Sequence, residues 1–184
     1  MKLTFDTKLA ENYTSQSQKI RVMTETCVNN AIFCPNCGCM NINKYPNNRP
    51  VADFYCSNCR EDYELKSQKD KMSNRIIDGA YSTMIKRLKS ANNPSFFLLN
   101  YNINNYKVQN FIVIPKHFFT PKIVIKRKQG LPNRPNYIMC SINLSLIPQS
   151  GKIFYIKDGE TESKKRYLRN GKRRFFCGKK KKFL

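Results

Sequence analysis

Apolar side chains return along this chain in two rhythms. Over residues 16–30, QSQKIRVMTETCVNN, Ile20, Met23, Cys27 and Val28 recur at helical spacing, and Ser15 or Ser17 is placed to cap the helix. Ser73 marks the start of a second predicted helix, about 74–90. Ile76, Ile77, Ala80, Met84 and Leu88 form its apolar face, Lys86, Arg87 and Lys89 fall largely on the other side, and Asn92-Asn93-Pro94 ends it. Elsewhere short apolar-rich runs predict strands at 51–55, 62–66, 95–101, 106–114, 137–144 and 151–156, with Asn104-Asn105 as a turn. Residues 121–135, PKIVIKRKQGLPNRP, are basic and broken by Pro and Gly, which predicts a loop. No internal repeat is visible. The order of helix, hairpin, helix and then several strands predicts one mixed α/β domain, a sheet with helices on its face.

Composition narrows the class. The 184 residues are 40% hydrophobic and 12% aromatic, enough for one domain with a real core. The longest apolar runs, SFFLL and FIVIP, fall far short of the ~20 residues that span a membrane. The N-terminal stretch MKLTFDTKLAENY lacks an apolar secretory region, so the expected location is the cytoplasm. A net charge of +22 favours a polyanionic partner, nucleic acid or a membrane surface. The segment from Thr161 to Leu184 carries +10 of it, so residues 1–160 remain basic at +12. This divides the chain into a domain at 1–160 and a basic tail at 161–184.

Eight cysteines in a reducing compartment point to thiolates and metal. Cys34-Pro-Asn-Cys37 and Cys56-Ser-Asn-Cys59 are two CxxC pairs separated by eighteen residues, a zinc-ribbon spacing. Four thiolates around Zn2+ make a closed, structural site. Cys39 is an alternative to Cys37. Cys27, Cys140 and Cys177 lack partner spacing and read as ordinary thiols.

Carboxylates flank the second pair. If 51–66 is a hairpin turning at Asn58 and Cys59, Asp53 lies opposite Glu64, Lys66 lies opposite Val51, and Glu64 and Lys66 share a face. Two opposed carboxylates destabilise a hairpin unless a cation neutralises them. Mg2+ suits such a pair, since it takes one or two carboxylates and keeps waters or phosphate oxygens. A neighbouring ammonium, Lys66, then completes the equipment for phosphodiester hydrolysis. The alternative is an ordinary solvated strand face, because Asp, Glu and Lys are common.

The stretches SQKIRVMTE, CPNCG, NNRPVADFYCSNC, ELKS, DGAYSTMIKR and NNPSFFLLNY carry a resemblance. Together they resemble the Dam-replacing family of DpnI-type restriction endonucleases, over about residues 1–159. The resemblance implies a PD-(D/E)xK nuclease fold with an inserted zinc site. It implies Mg2+-dependent cleavage of double-stranded DNA at GATC with an N6-methyladenine, in a bacterial cytoplasm and away from any membrane. It carries metal binding onto Asp53 and Glu64 and the catalytic lysine onto Lys66. The zinc positions fall on Cys34, Cys37, Cys56 and Cys59. Glu25 is the first-helix acid that would complete the metal site. Two departures stand out. The family continues into a winged-helix domain, whereas KKRYLRNGKRRFFCGKKKKFL matches nothing there and reads as a truncated, out-of-frame product. Tyr137 stands where a Trp is expected, which implies weaker methyl-adenine readout.

Candidate DNA-facing residues are Lys86, Arg87 and Lys89 on the second helix, and Lys126, Arg127, Lys128 and Arg134 in the basic segment. His117, the one histidine, reads as a strand-end residue beside Phe118 and Phe119. Two other functions compete with the nuclease: a non-catalytic zinc-ribbon DNA-binding protein, and an inactive truncated remnant. The intact Asp53, Glu64 and Lys66 argue against a pure binder. Action as a monomer and as a transient dimer both fit the sequence.

Overall fold

The computed structural model describes residues 4–47 and 52–162. Residues 163–184 of the basic tail and the partner position Val51 lie outside these residues. Helix α1 (Gln16–Ala31) is followed by strands β1 (Asn43–Lys44), β2 (Phe54–Tyr55), β3 (Asp62–Lys69) and β4 (Arg75–Ala80), then by helix α2 (Tyr81–Lys89). Six strands complete the order: β5 (Ser95–Tyr101), β6 (Val108–Ile114), β7 (Val124–Lys126), β8 (Met139–Asn143), β9 (Ile153–Lys157) and β10 (Glu160–Thr161). Seven strands form a central sheet in the order β1-β2-β3-β5-β6-β9-β10. Its β3 and β5 run parallel and its other neighbours antiparallel. A second sheet has the order β4-β8-β7. The mixed α/β class expected from the element order is what the chain adopts.

The SFFLLNY run explains how the layers meet. Side chains alternate along a strand. Phe97, Leu99 and Tyr101 enter a core with Ile20, Met23 and Val28 of α1. Phe96 and Leu98 point the other way, into a second core with Ile76 of β4, Met84 and Leu88 of α2 and Ile142 of β8. Every residue of β5 is buried, as a strand covered on both faces must be. Each large side chain there contributes roughly 1.5–3 kcal/mol on leaving water. The central sheet is thus covered by α1 on one face and by α2 with the second sheet on the other.

The second helix is shorter than its sequence suggests. Residues 75–80 form β4, antiparallel to β8, and α2 begins only at Tyr81. Burial alternates along β4, with Ile76 and Asp78 buried between exposed Arg75 and Ile77. A period of two, with adjacent β-branched isoleucines, favours a strand. Pairing with β8 satisfies the backbone, so tertiary contacts override the helical reading of Ile76 and Ile77. Ser73 caps no helix; its hydroxyl accepts from the Arg75 amide at 3.0 Å. The predicted loop at 121–135 also contains a strand, β7, which pairs with β8. The first helix, the strand cores and the turn at Asn104-Asn105 appear as expected, although Ser15, at the N-cap of α1, makes no side-chain capping bond. Asn102 Oδ1 accepts from both turn amides. No helix among the described residues is long and apolar enough to cross a membrane.

Candidate functional site

The hairpin of β2 and β3 sets the geometry. Phe54 pairs with Tyr63 and Tyr55 with Asp62, the register that puts Asp53 opposite Glu64. Strand β2 is only two residues long, so the chain departs before it can cover the edge of β3. Asp53 fills part of that gap. Its amide donates to the Tyr63 carbonyl, and its Oδ2 accepts from the Leu65 amide at 2.7 Å. A side chain here satisfies a donor that a longer strand would have taken. The Asp53 carboxylate is thereby held beside the backbone between Glu64 and Lys66.

Cys56 to Arg60 close the hairpin tip. The Arg60 amide bonds back to the Cys56 carbonyl, and Arg60 adopts φ of 57°. A matching turn joins Cys34 to Gly38, whose φ is 79°. The Sγ atoms of Cys34, Cys37, Cys56 and Cys59 all lie within 4.8 Å of one another. Cys34 approaches Cys59 at 3.5 Å and Cys37 approaches Cys56 at 3.6 Å. A tetrahedral Zn2+ with Zn–S of ~2.3 Å requires sulfur separations of about 3.8 Å, so the donor set fits zinc. Cys39 is not part of the cluster; its carbonyl accepts from the Cys34 amide. Within the cluster a hydrogen bond from Cys34 draws the Cys59 thiol down to about 4, while the Cys34 thiol is pushed up. Burial pushes Cys56, Cys27 and Cys140 up to about 11 alike, and Cys27 and Cys140 lie outside the cluster. Cys177 lies outside the described residues.

Asp53, Glu64 and Lys66 line a cavity of about 660 Å³ at this edge of the sheet, together with Arg21, Thr24 and Glu25 of α1. Glu64 is 6% exposed. Burial, with Asp53 and Asp78 adding to it, raises its carboxyl to about 7, against the pull of Lys66. Burial also raises the Asp53 carboxyl, opposed by the Leu65 amide and Lys66. For Lys66, burial works against the charged form, but Glu64 and Asp78 outweigh it and hold the ammonium above its ordinary range. Its Nζ stands 2.9 Å from Glu64 Oε1 and 2.9 Å from Asp78 Oδ1. One oxygen each of Asp53 and Glu64 is engaged by a protein donor, leaving the other for a cation. A buried Glu64 and a half-buried Asp53, opposed and with raised proton affinity, are a donor set that Mg2+ fits. Glu25, also in this cavity, has both oxygens engaged: Oε1 with Arg21 Nε and Oε2 with Lys44 Nζ, each at 2.6 Å.

The basic residues divide. Lys86 and Lys89 on α2, and Lys126, Arg127, Lys128 and Arg134 around β7, are exposed. Lys126 Nζ lies 5.6 Å from the centre of the Tyr81 ring. Arg87 instead bonds Asp62 Oδ2 at 2.8 Å, so it braces α2 against β3. His117 packs on Phe118, ring centres 4.3 Å apart, away from the cavity. Asp78, Arg21 and Lys44 are the residues that reading the sequence missed. For Asp78 a signal existed: a β-branched Arg-Ile-Ile run ending in Asp-Gly is strand and turn chemistry, and Asp disfavours a helix interior.

A model of the DpnI Dam-replacing family matches residues 1–180, past the boundary drawn at 160. The chain belongs to this family.

Proposed function

We propose that this member of the Dam-replacing family is a type II restriction endonuclease. It hydrolyses phosphodiester bonds of double-stranded DNA at GATC when the adenine is N6-methylated, using a PD-(D/E)xK site. The observation that carries the reading is the meeting of Asp53, Glu64 and Lys66 in one cavity, in a chain of this family. Held by Asp53 and Glu64, Mg2+ supplies a Lewis acid and a template for water and phosphate oxygens. The protein's own residues do the rest. Asp53, fixed by the Leu65 amide, and Glu64, costly to ionise alone, form a pair that favours a divalent cation. The Lys66 ammonium opposes the negative charge that grows on the phosphate. Lys86, Lys89, Lys126, Arg127, Lys128 and Arg134 neutralise the DNA backbone and release counterions. Zn2+ on the four cysteines leaves no open coordination position, so its role is to brace the hairpin.

The test is digestion of two plasmid preparations, adenine-methylated and unmethylated at GATC, with Mg2+ and with Asp53→Ala as control. Cutting of methylated DNA alone, abolished in the variant, is the expected result. A folded, zinc-loaded protein that cuts neither would remove the proposal.

A further inference from the structure

We infer that Asp78 is the positioning residue of Lys66, holding its ammonium over the cavity from the second sheet. The inference rests on the site reading above. Lysine carries its charge on a flexible four-carbon stem, so one contact leaves the ammonium free to swing. Glu64, two residues away on the same strand face, is one such contact. Asp78 comes from β4, which belongs to the other sheet, and grips the same Nζ at 2.9 Å. Two anchors in different layers fix the direction of the stem as well as its reach.

Four further observations mark Asp78 as a built feature. Its side chain is 7% exposed. Its Oδ1 also accepts from the Gly79 amide at 2.6 Å, which sets its rotamer. Oδ2 is buried without a hydrogen-bond partner, and among the described residues Lys66 is the one side-chain cation that pairs with this acid. Most buried carboxylate oxygens are hydrogen-bonded, and exceptions concentrate where strain or chemistry requires them. Fourth, the β4–β8 pairing shifts register between Asp78 and Ala80. Bulges of this kind re-aim side chains beside active sites. The same strand leads directly into α2, which carries Lys86 and Lys89. The grip on the lysine therefore comes from the layer assigned to DNA.

Single-turnover cleavage of a methylated GATC duplex, for the parent, Asp78→Asn, Lys66→Met and the double variant, is the test. DNA affinity in Ca2+, zinc content and thermal midpoint accompany it. Loss of a positioning contact slows Asp78→Asn by about 10- to 100-fold, with DNA affinity within about twofold of the parent. The double variant is then no slower than Lys66→Met, because groups that act as a unit are non-additive. A rate for Asp78→Asn near the parent's overturns the inference, as does a loss that adds in full to that of Lys66→Met. So does failure of both Asp78→Asn and Asp78→Ser to fold, which makes the acid purely structural. If the parent cuts no DNA, the site reading falls, and lysine-selective 15N NMR judges the contact alone. A restrained Lys66 ammonium signal in the parent that is lost in Asp78→Asn keeps it; no such signal in the parent removes it.

Discussion

Replacing Glu64 by Gln should make the metal-free protein more stable, by an amount that grows with pH. Burial lifts this carboxyl from its ordinary 4.5 to about 7. The folded protein therefore holds the proton more tightly than the unfolded chain does. Stability contributed by the neutral acid is intact below 4.5, falls as pH rises through 7, and the cost is complete above it. At 1.36 kcal/mol per tenfold change in proton affinity, burying Glu64 costs about 2 kcal/mol at pH 6, where folding must protonate it, and about 3 kcal/mol at pH 8, where it stays ionised. Gln keeps the shape and avoids the charge. Denaturant unfolding of parent and Glu64→Gln, at fixed zinc and without magnesium, should show the variant ahead at both pH values. The gap should widen by about 1 kcal/mol between them. Taking the difference cancels every titration the two proteins share, the zinc thiolates included. Adding Mg2+ at pH 8 should narrow the gap, because a cation relieves the pair in the parent and has one carboxylate fewer in the variant. A gap that is the same at both pH values, or a variant less stable than its parent, would refute the claim that Glu64 is a buried acid under strain. The variant should also be inactive, having gained stability by giving up the charge.

Cys56→Ser should drop bound zinc below one per chain by elemental analysis and lower the thermal midpoint, since three thiolates hold the metal poorly. Phe97 is fully buried and stacks on Tyr63 at 4.4 Å. Phe97→Ala should therefore cost about 3–5 kcal/mol in denaturant unfolding. Lys86→Ala and Lys89→Ala should each reduce the slope of log affinity against log salt by about one. Arg87→Ala should leave that slope near the parent's and lower stability instead, because Arg87 is engaged by Asp62.

Much of this was legible before any coordinates. The hairpin register followed from the cysteine spacing, and a two-residue period then settles which side chains share a face. The SFFLLNY strand declared itself by being apolar at successive positions, as a doubly covered strand must be. Residues 75–80 were harder. Ile76, Ile77 and Ala80 fit a helix face that continues into the true helix, and only pairing with β8, distant in sequence, decides against it. That one misreading hid Asp78, since an acid in mid-helix looks like surface. Arg21 and Lys44 were invisible for another reason: their place beside Glu25 depends on how α1 lies across the sheet, which no local pattern encodes. Arg87 differs from Lys86 only through its reach to Asp62.

The brevity of β2 has a consequence for how this gene can vary. With two paired residues, the turn at the cysteines and the hydrogen bonds of Asp53 to Tyr63 and Leu65 keep the strands in phase. One codon gained or lost between Cys59 and Asp62 would turn Glu64 and Lys66 to the opposite face. Two codons would restore the face but slide Glu64 away from Asp53 by two strand steps, about 6.6 Å. Length in this short interval is therefore under an odd–even rule. Drift in this segment should appear as substitutions, with insertions and deletions absent.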